Sequence, residues 1–248
     1  LKKYNVASIR PTFVNPEVTK IKLKTNFKFD SKTTTKSVGD LETLIRTTIS
    51  NYNSSDLQNF DVVFRHSKLS RLIDATDSSI LSNSTRITLN KVLTPTLNTV
   101  TQYVINFNNA LYNPHADHNK VMGGITSSTG FTISTNTNTL YLDDDGSGNI
   151  RTYYLVGGTT RTYVDSTAGT IDYTTGKIVL TDLTITGTTS TDGKISIDIL
   201  PASNDIVSVR NQLLEIDLAN TSVDGTVDVI VSGGSSAGTG YTTTQNTY

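Results

Sequence analysis

Residues 20–29, KIKLKTNFKF, set Ile21, Leu23, Phe27 and Phe29 on one face and Lys20, Lys22, Lys24 and Lys28 on the other. A period of two predicts a strand with one buried face. Lysines on the open face also discourage stray sheet pairing. The period then changes. Val38, Leu41, Leu44, Ile45, Ile49 and Tyr52 recur at three- and four-residue steps, which predicts a helix over 38–53 with one apolar stripe. Ser37 with Asp40 has the spacing of a capping box, with Asp in place of the usual Glu. A shorter helix fits 67–76, with Leu69, Leu72 and Ile73 inward, and strands follow at 86–93 and 99–107. The first 112 residues thus read as β-α-α-β-β. Two helices on one face of a mainly antiparallel sheet make an α+β layer.

Asn113-Pro114 ends that pattern. From about 125 to 200 no helical period survives, and short alternating runs are separated by Gly146, Gly148, Gly157-Gly158, Gly169, Gly176 and Asp192-Gly193. Closely spaced short strands predict a β-sandwich or barrel. The clearest hairpin is 170–180, turning at Thr174-Thr175-Gly176. The fold class expected is therefore α+β, in three parts. Residues 1–112 form the module with helices, 113–204 an antiparallel all-β domain, and 205–248 further strands with a Gly/Ser-rich arm. In that last part Ile206, Val207, Val209, Leu213, Leu214, Ile216, Val229, Ile230 and Val231 cluster or alternate as apolar positions. Strand edges placed after the main β-run need a partner, so these residues are expected to form a symmetric contact between two copies. The tail SGGSSAGTGYTTTQNTY has too little apolar surface to pack alone.

Composition reinforces the β-rich reading. Charged residues are 17% of the chain, and Thr, Ser and Asn fill the gap. Thr suits a pleated, half-buried surface, and Ser and Asn suit turns. The net charge of -1 is unevenly spread. Residues 1–36 hold nine Lys/Arg against two Asp/Glu, and residues from 143 onward hold five Lys/Arg against thirteen Asp/Glu. Such an asymmetry can orient docking between chains. There is no Cys, hence no disulfide or thiolate site. No apolar run approaches the roughly 20 residues of a membrane span, and no signal-peptide pattern opens the chain. The opening at Leu1, directly into dense sequence, reads as a fragment of a longer protein.

The search for chemistry is unproductive. On a calcium-loop register Asp143, Asp145 and Ser147 take positions one, three and five, but position twelve is Tyr154 where a bidentate Glu is needed. His115 and His118 lack a completing Cys or Glu. There is no phosphate-binding loop. Glu17, Glu42 and Glu215 are far apart. The lysine face lacks the stacking aromatics of a nucleic-acid surface. The expectation is a non-enzymatic protein with no cofactor, no metal, no nucleic acid and no membrane. Tyr141, Tyr153 and Tyr154 are the candidates for an alternative function, a β-rich adhesin or receptor-binding module for host glycan.

Three segments carry a resemblance. They are Lys3–Pro16 with its following strand; Val63–Ile80, containing Ser70-Arg71-Leu72-Ile73; and Tyr141–Tyr154 with Gly169–Lys177. In this order they resemble the C-terminal half of the baseplate wedge subunit of T-even-type contractile-tailed phages, in the form carried by cyanophage relatives. The 20–107 stretch is similar to the wider baseplate J-like family. The resemblance implies a structural virion protein without catalytic residues, assembled in the host cytoplasm into the tail baseplate. It implies a homodimer within the wedge, and contacts with other wedge and hub-proximal proteins that build the ring around the tail hub.

Overall fold

A computed structural model of the protein describes residues 16–118, 120, 123–209 and 211–231. Most of the Lys3–Pro16 segment and the tail from 232 onward lie outside the described residues. In chain order the first elements are β1 (Glu17–Phe29), α1 (Val38–Tyr52), β2 (Val63–Phe64), α2 (His66–Asp74), β3 (Ile80–Leu93) and β4 (Val100–Asn106). Next come β5 (Thr126–Ser128), β6 (Phe131–Ile133), β7 (Asn136–Asp144), β8 (Asn149–Val156), β9 (Thr160–Asp172) and β10 (Lys177–Thr188). Last are β11 (Ile195–Ile199), β12 (Ile206–Val207), β13 (Gln212–Ile216) and β14 (Ser222–Val227).

The alternation in β1 does what its pattern requires. Ile21, Leu23, Phe27 and Phe29 are buried, and Lys20, Lys22, Lys24 and Lys28 stay on the wetter face. Helix α1 starts at the expected box: Asp40 N–H donates to Ser37 Oγ at 3.2 Å, and Ser37 N–H donates to Asp40 Oδ2 at 2.9 Å. Its buried stripe is Leu41, Ile45, Ile49 and Tyr52. Val38, expected inward, is exposed and Leu44 is half-buried. The i, i+4 steps define the contact line, and these two residues fall beside it. The helix runs on into a π-helical turn, Asn53–Leu57.

The first sheet has the order β13-β1-β3-β11-β5, with β14 also on β1. The β1–β3, β3–β11 and β11–β5 pairs are antiparallel. Strands β13 and β14 run parallel to β1, opposite Glu17–Ile21 and Lys24–Phe29 respectively. In the second sheet β10 pairs with β9 through Lys177–Leu180 and with β6 through Ile185–Thr188. The pairings β10-β6-β7-β8-β9-β10 therefore close a ring, a barrel with β4 attached to β10. The predicted 170–180 hairpin is the β9–β10 corner. Gly176 there sits at φ +73, and a Cβ would meet Asn109 O at 2.3 Å, so only glycine fits.

The α+β layer and the all-β part are both present, but the sheets cut across the boundaries drawn at 112 and 204. Strand β4, read as the end of the first module, belongs to the barrel. Strands β5 and β11, read as part of the β-domain, complete the first sheet. The strands after 204 return to β1. Period-two alternation specifies which face is buried but not which strand is the neighbour. One continuous apolar cluster runs from Ile21, Ile45 and Ile73 through Ile197 and Phe107 to Leu140 and Ile185.

Candidate functional site

The nine residues proposed from sequence as a contact between copies divide into two groups. Ile206, Leu214 and Ile216 are buried in the chain's own core. Leu213 is half-buried, whereas Val207, Val209, Val229, Ile230 and Val231 are exposed. The first group is corrected for a definite reason: the edges that seemed to need a second copy are filled internally. Strand β1 pairs with β13 and β14. Helix α1 and its π-helical turn supply further partners. Ile216 N–H donates to Asn53 Oδ1 at 2.7 Å, Gly225 N–H to Glu42 Oε1 at 3.2 Å, and Arg46 Nη1 to Thr221 O at 2.8 Å. Strand β12 is pinned in the same way. Val207 exchanges two hydrogen bonds of 3.0 Å with the Asn109 side chain, and Ser208 N–H donates to Val62 O at 3.0 Å.

The acidic loop Asp143–Asp145 is a latch inside the barrel wall. Asp143 is fully buried. It accepts from Arg151 Nε at 2.9 Å, Arg161 Nη1 at 2.7 Å and Tyr163 Oη at 2.9 Å. Burial pushes its carboxyl above the ordinary range, against the pull of the two arginines. Each guanidinium also lies over a ring: Arg151 is 4.3 Å from the Tyr163 centroid and Arg161 4.6 Å from that of Tyr153. Asp144 accepts from Ile125 N–H at 2.7 Å, Thr126 N–H at 2.8 Å and Tyr173 Oη at 2.7 Å. Burial, then the Asp144 carboxylate, push the Tyr173 hydroxyl far up. Gly124 approaches so closely that a Cβ would stand 2.1 Å from Asp144 Oδ1. Asp145 caps its own turn, accepting from Ser147 N–H at 2.8 Å and Asn149 N–H at 2.9 Å. Burial would raise its carboxyl, but these bonds and that from the Asn149 side chain hold it below the ordinary range.

All three carboxylates therefore face protein donors, which is the arrangement of a structural clasp. Half of this was legible. Asp143 stands directly across the β7–β8 hairpin from Arg151, a cross-strand pair of opposite charge. Arg161 arrives on β9, whose irregular register against β8 carries no local signal.

The aromatic candidates for glycan binding lie in the same wall. Tyr153 is buried between neighbours, with ring centroids 5.7 Å from Tyr141 and 6.0 Å from Tyr163. Tyr141 and Tyr154 are half-buried. Arg161 lies over one face of Tyr153. His115 and His118 touch each other, His118 Nδ1 to His115 Nε2 at 3.2 Å, while Asp117 beside them accepts from Ser147 Oγ. Among the described residues no cluster of three or more His, Asp or Glu is placed to hold a metal ion.

No curated protein matches the chain. Residues 17–92, the span from β1 to β3 with both helices, match the family model described as baseplate structural protein gp6, C-terminal domain III, and this match supports a structural protein of a phage tail baseplate.

Proposed function

We propose that the chain is a non-enzymatic wedge component of a contractile-tail baseplate. It self-associates and binds other wedge and hub-proximal proteins in the ring around the tail hub, after assembly in the host cytoplasm. The observation that carries this reading is the family match over 17–92, which spans β1, both helices and nearly all of β3. The order of the three sequence segments supports the T-even-type form, the cyanophage kinship and the link to baseplate J-like modules. The buried acidic clasp supports a rigid scaffold, since its polar side chains are spent on each other.

Self-association rests on the exposed part of the set proposed from sequence: Val207, Val209, Val229, Ile230 and Val231. Sedimentation of the purified chain, alone and mixed with the other wedge proteins of its phage, tests the reading. A dimer that co-sediments with a second wedge protein is expected, and Ile230→Asp, at an exposed position, should lower the dimer fraction without lowering the melting temperature. A chain that stays monomeric and sediments apart from every wedge protein would overturn the proposal.

A further inference from the structure

Residues 113–118, on the crossing from β4 of the barrel to β5 of the first sheet, form a turn held against the acidic hairpin. Asn113 Nδ2 and Asp117 N–H both donate to Gly146 O at 3.2 Å, and Ser147 Oγ donates to Asp117 Oδ1 at 2.6 Å. Within the turn His118 N–H donates to His115 O at 3.2 Å, and Lys120 N–H donates to Asp117 O at 3.1 Å. Asp117 takes a left-handed φ of +64, which lets the chain reverse. His115 and His118 are thereby brought face to face. Their ring centroids are 4.9 Å apart with the planes perpendicular, and the Tyr112 ring lies edge-on to His118 at 5.6 Å. His115 is exposed and His118 half-buried, so solvent reaches the pair.

The hydrogen bonds assign the ring protons. A carbonyl oxygen only accepts, so the 2.9 Å contact of His115 Nδ1 with Ala116 O puts a proton on Nδ1. In the neutral ring His115 Nε2 then carries a lone pair, and it accepts from His118 Nδ1–H at 3.2 Å. A histidine that ligates a metal commonly donates its other ring N–H to a backbone carbonyl in this way, which fixes the tautomer and the ring orientation. The separation of the two nitrogens fits as well. Zn–N bonds of about 2.0–2.1 Å in a tetrahedral site set two ring nitrogens about 3.3–3.4 Å apart. Among the described residues no third His, Asp or Glu joins the pair, so the chain supplies two ligands.

We propose that His115 Nε2 and His118 Nδ1 together chelate one divalent transition-metal ion of the zinc class, with water completing its coordination. The ion takes the place of the hydrogen that the two rings share. His118 passes its Nδ1 proton to solvent and takes one up at Nε2, so that Nδ1 offers a lone pair and the neutral pair releases no net proton. Imidazole suits zinc and its neighbours in the transition series, whereas Mg²⁺ and Ca²⁺ take oxygen ligands. The bonds to Gly146 and Ser147 hold the turn in place before the ion arrives, which lowers the ordering cost of binding. A bound ion would fasten the crossing between the two sheets. This inference goes beyond the baseplate reading and does not depend on it.

The test titrates Zn²⁺ by calorimetry into the full chain, first stripped with EDTA and desalted. One ion per chain is expected. His115→Ala and His118→Ala should each weaken binding at least tenfold, because a chelate loses the effective concentration of its second ligand. A second readout needs no variant. The imidazole proton resonances of His115 and His118 should shift as Zn²⁺ is added to the parent. Those of His66, whose Nε2 lies 2.9 Å from Thr85 O, should not. No heat of binding, with the His115 and His118 resonances unmoved, would overturn the proposal. Two ions per chain, falling to one in each variant, would show independent imidazoles and overturn the chelate. Displacement of Zn²⁺ by an equal concentration of Ca²⁺ would place the ion on oxygen ligands and overturn it too. One ion per two chains, with a doubled mass in sedimentation, would overturn the single-chain site. Sedimentation with wedge proteins is run in EDTA, so the failure of either reading leaves the other standing.

Discussion

Replacing Asn53 by Ala isolates the contact by which the first helix holds the returning C-terminal strand. Asn53 is buried, and its Oδ1 is the acceptor for Ile216 N–H at 2.7 Å across 163 positions of sequence. Ile216 is buried too, so water does not replace the lost acceptor. A buried donor left without a partner costs about 1–3 kcal/mol. Taking roughly 2 kcal/mol, with each kcal/mol worth about 2–4 °C in a chain of this size, the melting temperature should fall by about 4–8 °C. The urea midpoint should fall with an unchanged slope, because the surface exposed on unfolding is the same. The matching control is Glu42→Ala. Its acceptor serves Gly225 N–H at a longer 3.2 Å in a partly exposed position, so the change should stay within about 1 kcal/mol. Amide exchange gives a local readout: Ile216 should exchange faster in Asn53→Ala, and Ile197 on β11, paired with Lys91, should not. An unchanged midpoint, or an Ile216 amide as protected as in the parent, would refute the reasoning that α1 clamps β13.

Arg151→Met removes one arginine from the buried Asp143 while Arg161 and Tyr163 remain. Breaking a buried pair costs about 3–5 kcal/mol, so a loss near 3 kcal/mol is expected in urea unfolding, and a near-parental midpoint would argue against the clasp. Asp77 gives a pH-dependent prediction. Bonds from Lys36 Nζ and Ser79 Oγ, both 2.7 Å, draw its pKa from the ordinary 3.8 to about 2. A depressed carboxylate stabilises the fold above its unfolded pKa, and that contribution is lost as pH falls through its folded pKa. The stability gap between the parent and Asp77→Asn should therefore narrow from pH 4 toward pH 2. A gap of constant size over that interval would show that Asp77 acts by packing alone.

The amino-acid sequence by itself determined the local elements wherever a single period ran long enough to be read. The lysine–apolar alternation of β1, the Ser37–Asp40 box and the i, i+4 line of α1 each follow from interactions within one turn or one strand face. So does the Gly176 corner, where the backbone demands a positive φ. Even the pairing of Asp143 with Arg151 is implicit in a hairpin register. Other features were decided only when the chain closed on itself. Gly169, read as a break between short runs, lies inside the single strand β9, because its neighbours β8 and β10 both pair with it. Ile206, Leu214 and Ile216 look like material for a partner until β2, β1 and Asn53 supply their backbone partners from within the chain. Strand β11 parts from β3 beyond Leu89, where Pro201 is drawn to Leu111, a contact between residues 90 positions apart. Each of these depends on which strands become neighbours. A period of two fixes the buried face of a strand and is silent about its neighbour, because every alternating strand offers the same backbone donors and acceptors.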